Sequence, residues 1–88
     1  MNNIYEVLQA SKKVVDAMQN EYLSDPHKEL IRTIEKYNKF IISIEKESPQ
    51  RNLISGLSRR YIEAGRDYRN PILDTMYDIE KYMYRETP

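Results

Sequence analysis

Three prolines divide this chain of 88 residues into four segments of similar length. Each proline follows a residue whose side chain can cap a helix, namely Asp25 before Pro26, Ser48 before Pro49 and Asn70 before Pro71. A capping side chain accepts a hydrogen bond from an unpaired N–H of the first turn, and proline suits the first helical position because it has no N–H to leave unpaired. The three pairs predict three helix starts, and the segment before Pro26 supplies a fourth helix.

Apolar residues recur at helical spacing in all four segments, and no segment alternates as a strand would. The predicted stripes are Ile4, Leu8, Ser11, Val15, Met18 and Tyr22, widened by Val7 and Val14; Leu30, Ile34, Tyr37, Ile41 and Ile44, flanked by Ile31 and Ile42; Leu53, Leu57, Tyr61 and Ala64, with Ile54 beside them; and Ile72, Met76, Ile79 and Met83, with Leu73 and Tyr77 beside them. The predicted helices span residues 3–22, 26–46, 49–64 and 71–84. Because short links force neighbouring helices to run antiparallel, the pattern predicts an all-α single domain over residues 1–88, folded as an antiparallel up-down four-helix bundle.

Both glycines fall in or beside the predicted third helix. Gly56 is predicted to lie inside that helix, at a close helix crossing or as a tolerated residue that costs roughly 0.5–1 kcal/mol relative to alanine. Gly65 is predicted to end the helix as a C-terminal cap, with residues 66–69 forming the loop to the next helix.

The composition leaves little material for catalysis. The chain has no cysteine and one histidine, His27, which we expect to be an exposed first-turn residue. Disulfide scaffolds, cysteine zinc sites and thiol catalysis are excluded, and we predict a protein that is not an enzyme and holds no metal or cofactor. A small helical mutase of the chorismate type is a minor alternative. Four basic residues could bind a dicarboxylate, namely Arg32, Lys39, Arg51 and Arg59, but the spacing of the segments does not resemble that family.

Localisation follows from similar arguments. No apolar run approaches the roughly 20 residues that span a bilayer. The first residues lack the basic and then apolar pattern of a secretory signal. We therefore expect a cytoplasmic protein, with partial association with the membrane as a further expectation.

Basic and aromatic residues are distributed unevenly along the chain. Residues 1–48 contain six lysines and one arginine, whereas residues 49–88 contain six arginines, one lysine and five of the eight tyrosines. Arginine and tyrosine are favoured at interfaces because each combines a large contact area with a polar tip. The alternative is that Tyr61 and Tyr77 are core residues with solvated hydroxyls. We predict a partner-binding surface made of Arg59, Arg60, Arg66, Tyr68, Arg69, Tyr82 and Tyr84.

Two stretches of the chain carry a resemblance to a known family. Residues 53–62, LISGLSRRYI, resemble the Leu-Ile-x-x-Leu-x-x-Tyr/x-Ile/Leu element that opens the third helix of the immunity proteins of class IIa (pediocin-like) bacteriocins, with Tyr61 one place late and Gly56 where the family often has a larger polar residue. Residues 25–31, DPHKELI, and 34–37, IEKY, resemble the start of that family's second helix. The resemblance extends over about residues 4–84.

The resemblance implies a specific role. Such proteins protect a bacteriocin producer from within its cytoplasm. They are thought to recognise the membrane permease of the mannose phosphotransferase system once bacteriocin has engaged it, and so to block the pore. In that family the C-terminal half decides which bacteriocin is countered. The implied partner is therefore a permease complex, with weak contact to inner-leaflet lipid and no small-molecule substrate.

Other interpretations stay open. A small helical adaptor or inhibitor, of the phage or plasmid type, would bind a soluble host protein through the same Arg/Tyr-rich C-terminal half. Nucleic-acid binding would use the positive charge between Arg51 and Arg69, but the acidic fourth helix opposes it and we expect none. A weak homodimer through Phe40 and Ile42, which lie off the predicted stripe, is the alternative to a monomer.

Overall fold

The chain folds into helices, as the apolar spacing predicts. The computed structural model describes residues 1–65 and 69–86. Its elements are α1 (Ile4–Ser24), α2 (Lys28–Glu45), a 3-10 turn (Arg51–Leu53), α3 (Leu57–Glu63) and α4 (Pro71–Glu86). No strand occurs within these described ranges, so the prediction of an all-α chain with four α-helices is confirmed.

Asparagine side chains start the first and last helices. Asn70 caps α4 as predicted, because its Oδ1 accepts a hydrogen bond from the N–H of Ile72 at 3.0 Å and Pro71 is the first helical residue. Asn3 caps α1 in the same way, accepting from the N–H of Glu6 at 2.9 Å. Each cap satisfies one N–H of the first turn that has no partner within its own helix.

The start of α2 differs from the prediction. Asp25 ends α1, with its N–H bonded to the carbonyl of Glu21 at 2.9 Å, so it does not cap α2. Helix α2 begins at Lys28, and His27 is its cap, since its Nδ1 accepts from the N–H of Glu29 at 3.1 Å. His27 is therefore a half-buried capping residue rather than an exposed residue of the first turn.

The end of α2 explains why Ser48 does not start a helix. The N–H of Ser48 bonds to the carbonyl of Ser43, and the N–H of Glu47 bonds to that of Ile44, both at 2.9 Å. Glu47 itself has φ +58°, in the left-handed region. These features form a Schellman-type helix end, so Ser48 serves to close α2.

The third segment is not the single helix over residues 49–64 that the sequence predicts. After the 3-10 turn the chain passes through Gly56, whose φ is +77°, before the seven residues of α3 begin. Glycine takes this left-handed conformation at little steric cost, so Gly56 separates the two helical pieces instead of lying inside one helix. Gly65, with φ +78°, follows the C-cap residue Ala64 of α3, and its prediction as a helix end is confirmed.

Each helix packs against two others. Helix α1 contacts α2 and α4, and α3 contacts α2 and α4, with the 3-10 turn also lying against α2 and α4. The core between them contains side chains from every helix and from the turn before α3. Its largest fully buried members are Tyr37, Phe40, Met18, Leu30, Ile54, Leu57, Met76, Ile79, Met83, Val7 and Val14.

The predicted stripes of α1 and α2 are largely buried, through Ser11, Val15 and Met18 in α1 and through Leu30, Tyr37, Ile41 and Ile44 in α2. In α1, Val7 and Val14 are fully buried, as predicted for residues that widen the stripe, whereas Ile4 at its start is 37% exposed, because the helix buries the face between its contacts with α2 and α4. In α2, Phe40 is fully buried and packs edge-to-face on Tyr37, with ring centroids 6.4 Å apart. Phe40 therefore belongs to the core and is not available as part of a dimer surface.

Candidate functional site

The predicted partner-binding residues do not lie on one patch. Arg59 and Arg60 are exposed on α3. Arg69 is exposed just before α4, whereas Tyr84 is 77% exposed in the last turns of that helix. At 1.5 Å per helical residue, the two ends of α4 are roughly 20 Å apart. Tyr84 and Arg69 therefore lie near opposite ends of α4.

Of the three remaining predicted residues, one packs against the core and two lie outside the described residues. Tyr82 is half-buried and packs against the core. Arg66 and Tyr68 lie outside the described residues. The alternative that Tyr61 and Tyr77 are core residues is right for Tyr61, which is 2% exposed, and wrong for Tyr77, which is 47% exposed.

A groove of about 680 Å³ lies between the 3-10 turn and α4. We call it the C-terminal groove, and its lining residues are Arg51, Asn52, Ile54, Ser55, Tyr77, Glu80, Lys81, Met83 and Tyr84. Ile54 and Met83 are each 1% exposed and form its apolar base. Tyr77 and Tyr84 are seven residues apart, so they project from the same face of α4 and leave two aromatic rings open to solvent along the groove.

Arg51 connects the 3-10 turn to the end of α4. Its Nη1 donates a hydrogen bond to the carbonyl of Tyr84 at 3.4 Å, and its guanidinium carbon lies 5.5 Å from the centre of the Tyr84 ring. A cation at this distance is attracted to the electron-rich ring face. The contact holds the Tyr84 backbone and ring beside the groove, although 33 residues separate the two positions.

Glu80 holds the other end of the turn. Its Oε1 accepts from the N–H of Gly56 at 3.3 Å, and its Oε2 accepts from the N–H of Ser58 at 3.1 Å. Gly56 has no side chain that could cap α3, so a carboxylate from α4 supplies the cap. Burial raises the pKa of Glu80, and the hydrogen bonds from Ser58 and Gly56 offset part of that rise.

Tyr37 lies in the core within electrostatic range of Glu80. It is fully buried, and in the described part of the chain its hydroxyl has no hydrogen-bond partner. Burial, and secondarily the negative charge of Glu80, raise the pKa of the Tyr37 hydroxyl. The phenol therefore stays neutral and contributes packing together with an unsatisfied polar atom.

Arg59 and Arg60 border different clefts because consecutive helical residues point about 100° apart. The cleft beside Arg59, of about 510 Å³, shares Tyr77 and Glu80 with the C-terminal groove. Its full lining is Gly56, Ser58, Arg59, Ile62, Glu63, Tyr77 and Glu80. Arg60 instead lines a cleft of about 460 Å³ with His27, Lys28, Glu29, Glu63 and Ala64. Arg59 and Tyr84 thus border clefts that share Tyr77 and Glu80, and the cleft beside Arg60 shares Glu63 with the cleft beside Arg59.

A polar cluster joins three helices near the start of α4. The hydroxyl of Tyr61 donates to Oε1 of Glu21 at 2.7 Å, and Nδ2 of Asn70 donates to the Tyr61 hydroxyl at 3.0 Å. A longer contact of 3.4 Å joins Asn70 to the same Glu21 oxygen. These hydrogen bonds, together with the cap that Asn70 provides for α4, indicate a structural role for the cluster in fixing α3 and α4 on α1.

The described residues offer neither a metal site nor a membrane-spanning helix. No group of three or more histidine, aspartate or glutamate side chains is arranged to hold a metal ion there. No described helix is both long enough and apolar enough to cross a membrane.

Comparison with known proteins finds no family model that matches the chain, no matching curated protein and no matching solved structure. The resemblance to the immunity proteins of pediocin-like bacteriocins therefore rests on the residues quoted for it.

Proposed function

We propose that the protein acts by protein–protein contact through the surface made of the 3-10 turn, α3 and α4. We further propose that it is a bacteriocin immunity protein, which binds a membrane permease of the mannose phosphotransferase type once bacteriocin has engaged it and blocks the pore. The observation that carries the proposal is the exposure of Tyr77 and Tyr84 beside a groove whose base is apolar.

The ordering of Tyr84 supports a role in binding. Binding energy at protein interfaces is concentrated in a few tyrosine, tryptophan and arginine side chains. A side chain that is already held in place loses less conformational freedom when a partner binds. The Tyr84 ring lies 5.5 Å from the guanidinium carbon of Arg51, and the hydrogen bond from Arg51 reaches the backbone carbonyl beneath it, while 77% of the residue's surface is open to solvent. This combination suits a binding residue better than a freely moving surface tyrosine.

The proposed architecture is an up-and-down antiparallel bundle. Two observations support it. The helices pack as neighbours in the order α1, α2, α3, α4 and back to α1. Contacts between the third segment and α4 run in opposite directions along the two, since Arg51 meets Tyr84 whereas Tyr61 meets Asn70.

The proposed place of action is the cytoplasmic face of the membrane. Arg59 and Lys81 are exposed on the proposed surface. Basic side chains close to the anionic inner leaflet each contribute about 1 kcal/mol of attraction. Such attraction would bring the protein to the membrane, while the groove and its tyrosines would select the permease.

A protection assay tests the proposal. A strain sensitive to pediocin-like peptides would express the wild-type protein, Tyr84→Ala, or the matched control Tyr5→Ala, whose tyrosine is 66% exposed on α1. We expect resistance to at least one peptide of a panel with the wild type and the control, and loss of that resistance with Tyr84→Ala at equal protein levels. Unchanged sensitivity to every peptide would overturn the immunity function. A soluble partner retained by the wild type and lost with Tyr84→Ala would instead favour the helical adaptor.

A further inference from the structure

We propose that residues 51–63, which comprise the 3-10 turn, Gly56 and α3, open as a unit while α1, α2 and α4 stay packed together. We call this segment the strap. Its opening uncovers the apolar faces of α2 and α4 on which it lies. The opening does not depend on the partner proposed above, because it is a property of the chain alone.

The helices outside the strap remain connected when it leaves. Helix α1 packs against both α2 and α4, whereas α3 and the 3-10 turn pack against α2 and α4. The described residues include 17 buried apolar side chains, of which the strap supplies three, namely Ile54, Leu57 and Tyr61. Most of the apolar burial that drives folding is thus shared among α1, α2 and α4, so these three helices keep most of their core without the strap.

The ends of the strap are marked by contacts of the neighbouring helices. Before it, the N–H of Gln50 donates to Oγ of Ser43 at 3.2 Å, which fastens the chain to α2. After it, Gly65 has φ +78°, and Asn70 caps α4. A left-handed glycine lets the chain change direction at little steric cost. The strap can therefore move away while α2 and α4 keep their ends.

Helix α3 depends on contacts outside itself. It has seven residues, and isolated helices shorter than about 12–15 residues are marginal in water. Glu80 supplies its cap by accepting from the N–H groups of Gly56 and Ser58, and the hydroxyl of Tyr61 donates to Glu21 on α1. When such contacts break together, the segment loses its helix and its N–H groups become open to exchange with water.

Two polar groups beneath the strap gain water when it opens. Tyr37 is fully buried, and its hydroxyl has no hydrogen-bond partner in the described part of the chain. The charge of Glu80 is held at a cost, since burial raises the pKa of this carboxyl group, and Tyr37 lies within electrostatic range of it. Hydration of both groups offsets part of the apolar contact that opening loses. Opening of the strap is therefore less costly than unfolding of the whole chain.

Hydrogen exchange of the full chain, measured by NMR at single amides where reclosing is faster than exchange, tests the proposal. We expect the amides of Arg60 and Tyr61 in α3 to exchange at least tenfold faster than those of Val14 and Met18 in α1. In low concentrations of urea the α1 rates should rise steeply while the α3 rates stay nearly constant, because opening of the strap exposes less surface than global unfolding.

Two cap substitutions form a matched pair. Asn3→Ala removes the cap of α1, and Glu80→Ala removes the cap of α3. Both lower global stability, so both should speed exchange of the protected α1 amides by about fivefold. Glu80→Ala should also speed the α3 amides by about fivefold, whereas Asn3→Ala should leave them unchanged. Tyr37→Phe should slow the α3 amides by about fivefold, because it removes the hydroxyl that gains water on opening.

Several results would overturn the proposal. Equal rates with equal urea dependence in α3 and α1, or α3 amides that Asn3→Ala speeds as much as it speeds α1 amides, would show that the chain opens only as a whole. Fast α3 exchange that Glu80→Ala leaves unchanged would assign it to fraying within α3. Unchanged or faster α3 exchange in Tyr37→Phe would show that the strap does not cover this hydroxyl. Circular dichroism of each variant confirms that it is folded.

Discussion

Glu80 caps α3 from a different helix, so its removal should destabilise the fold by a predictable amount. In Glu80→Ala the N–H groups of Gly56 and Ser58 lose their acceptor. Loss of a helix cap typically costs about 1 kcal/mol and at most about 2 kcal/mol. Two effects make the net loss smaller. The hydrogen bond to Gly56 is exposed to water, and removing the carboxylate also removes the cost of burying its charge, which is the cost that raises the pKa of Glu80. We therefore expect a net loss of about 1 kcal/mol, which lowers Tm by roughly 4–8 °C in a domain of this size.

The pH dependence of this effect has a definite sign. Burial raises the pKa of Glu80 above its usual value of 4.5, so the folded protein takes up this proton more readily than the unfolded chain. The stability linked to Glu80 is therefore fully present below the unfolded-state pKa and is lost as pH rises through the raised, folded-state pKa. Glu80→Gln does not titrate. The unfolding free energy of the wild type minus that of Glu80→Gln should accordingly grow as pH is lowered from about 7 towards 4.5.

Urea denaturation followed by circular dichroism measures both quantities. Asp78→Asn and Asp78→Ala are matched controls, because Asp78 is an exposed carboxylate on the same helix. If the difference between wild type and Glu80→Gln shrinks on acidification, the hydrogen bonds outweigh burial and the assigned sign is wrong. If Glu80→Ala costs no more than Asp78→Ala, the cap does not contribute to stability.

Four further substitutions test local features of the fold by the same urea denaturation. Gly56→Ala should lower the unfolding free energy by about 1 kcal/mol, because φ is +77° although the added Cβ would meet no atom within 4 Å; an increase would support a continuous third helix. Glu47→Gly should raise it by about 0.5–1 kcal/mol by relieving a left-handed residue with φ +58°, and a decrease would mean that the Glu47 side chain stabilises the helix end. Tyr37→Phe should raise it by about 1 kcal/mol, since it removes a buried hydroxyl with no hydrogen-bond partner in the described part of the chain; a loss would reveal a hidden partner. His27→Ala should lower it by about 0.5–1 kcal/mol through loss of the α2 cap, and an unchanged value would exclude that role.

The helices could be predicted from the sequence more reliably than their ends. Asn70 caps α4 as expected, but Asp25 closes α1 and Ser48 closes α2. A polar residue between two helices can serve the end of one or the start of the other, and residue type alone does not distinguish the two. Gly56 was misplaced for a related reason, because glycine inside a helix and glycine between two helical pieces leave the same local pattern.

The core face of a helix was predicted only approximately. Apolar spacing defines one stripe, whereas α2 packs on α1, α3 and the 3-10 turn. Phe40 lies off the single stripe and is nevertheless fully buried. A helix with several neighbours buries a wider face than its apolar spacing indicates.

The candidate site was predicted in part. The excess of arginine and tyrosine in the C-terminal half indicated Arg59 and Tyr84, and both are exposed beside connected clefts. Arg51 and Glu80 were not among the predicted site residues. Their contacts connect positions 33 and 24 residues apart, and no short pattern in the sequence indicates which distant backbone group a side chain will reach.

Photocrosslinking from the groove in living cells tests the central claim most directly. Tyr84 would be replaced by p-benzoylphenylalanine in a sensitive strain, with the same replacement at the exposed Tyr5 of α1 as control. On irradiation we expect a crosslink from position 84 to a permease subunit after bacteriocin is added, little or none before, and none from position 5. Absence of any permease crosslink from position 84, or equal crosslinking from position 5, would contradict recognition through the C-terminal groove.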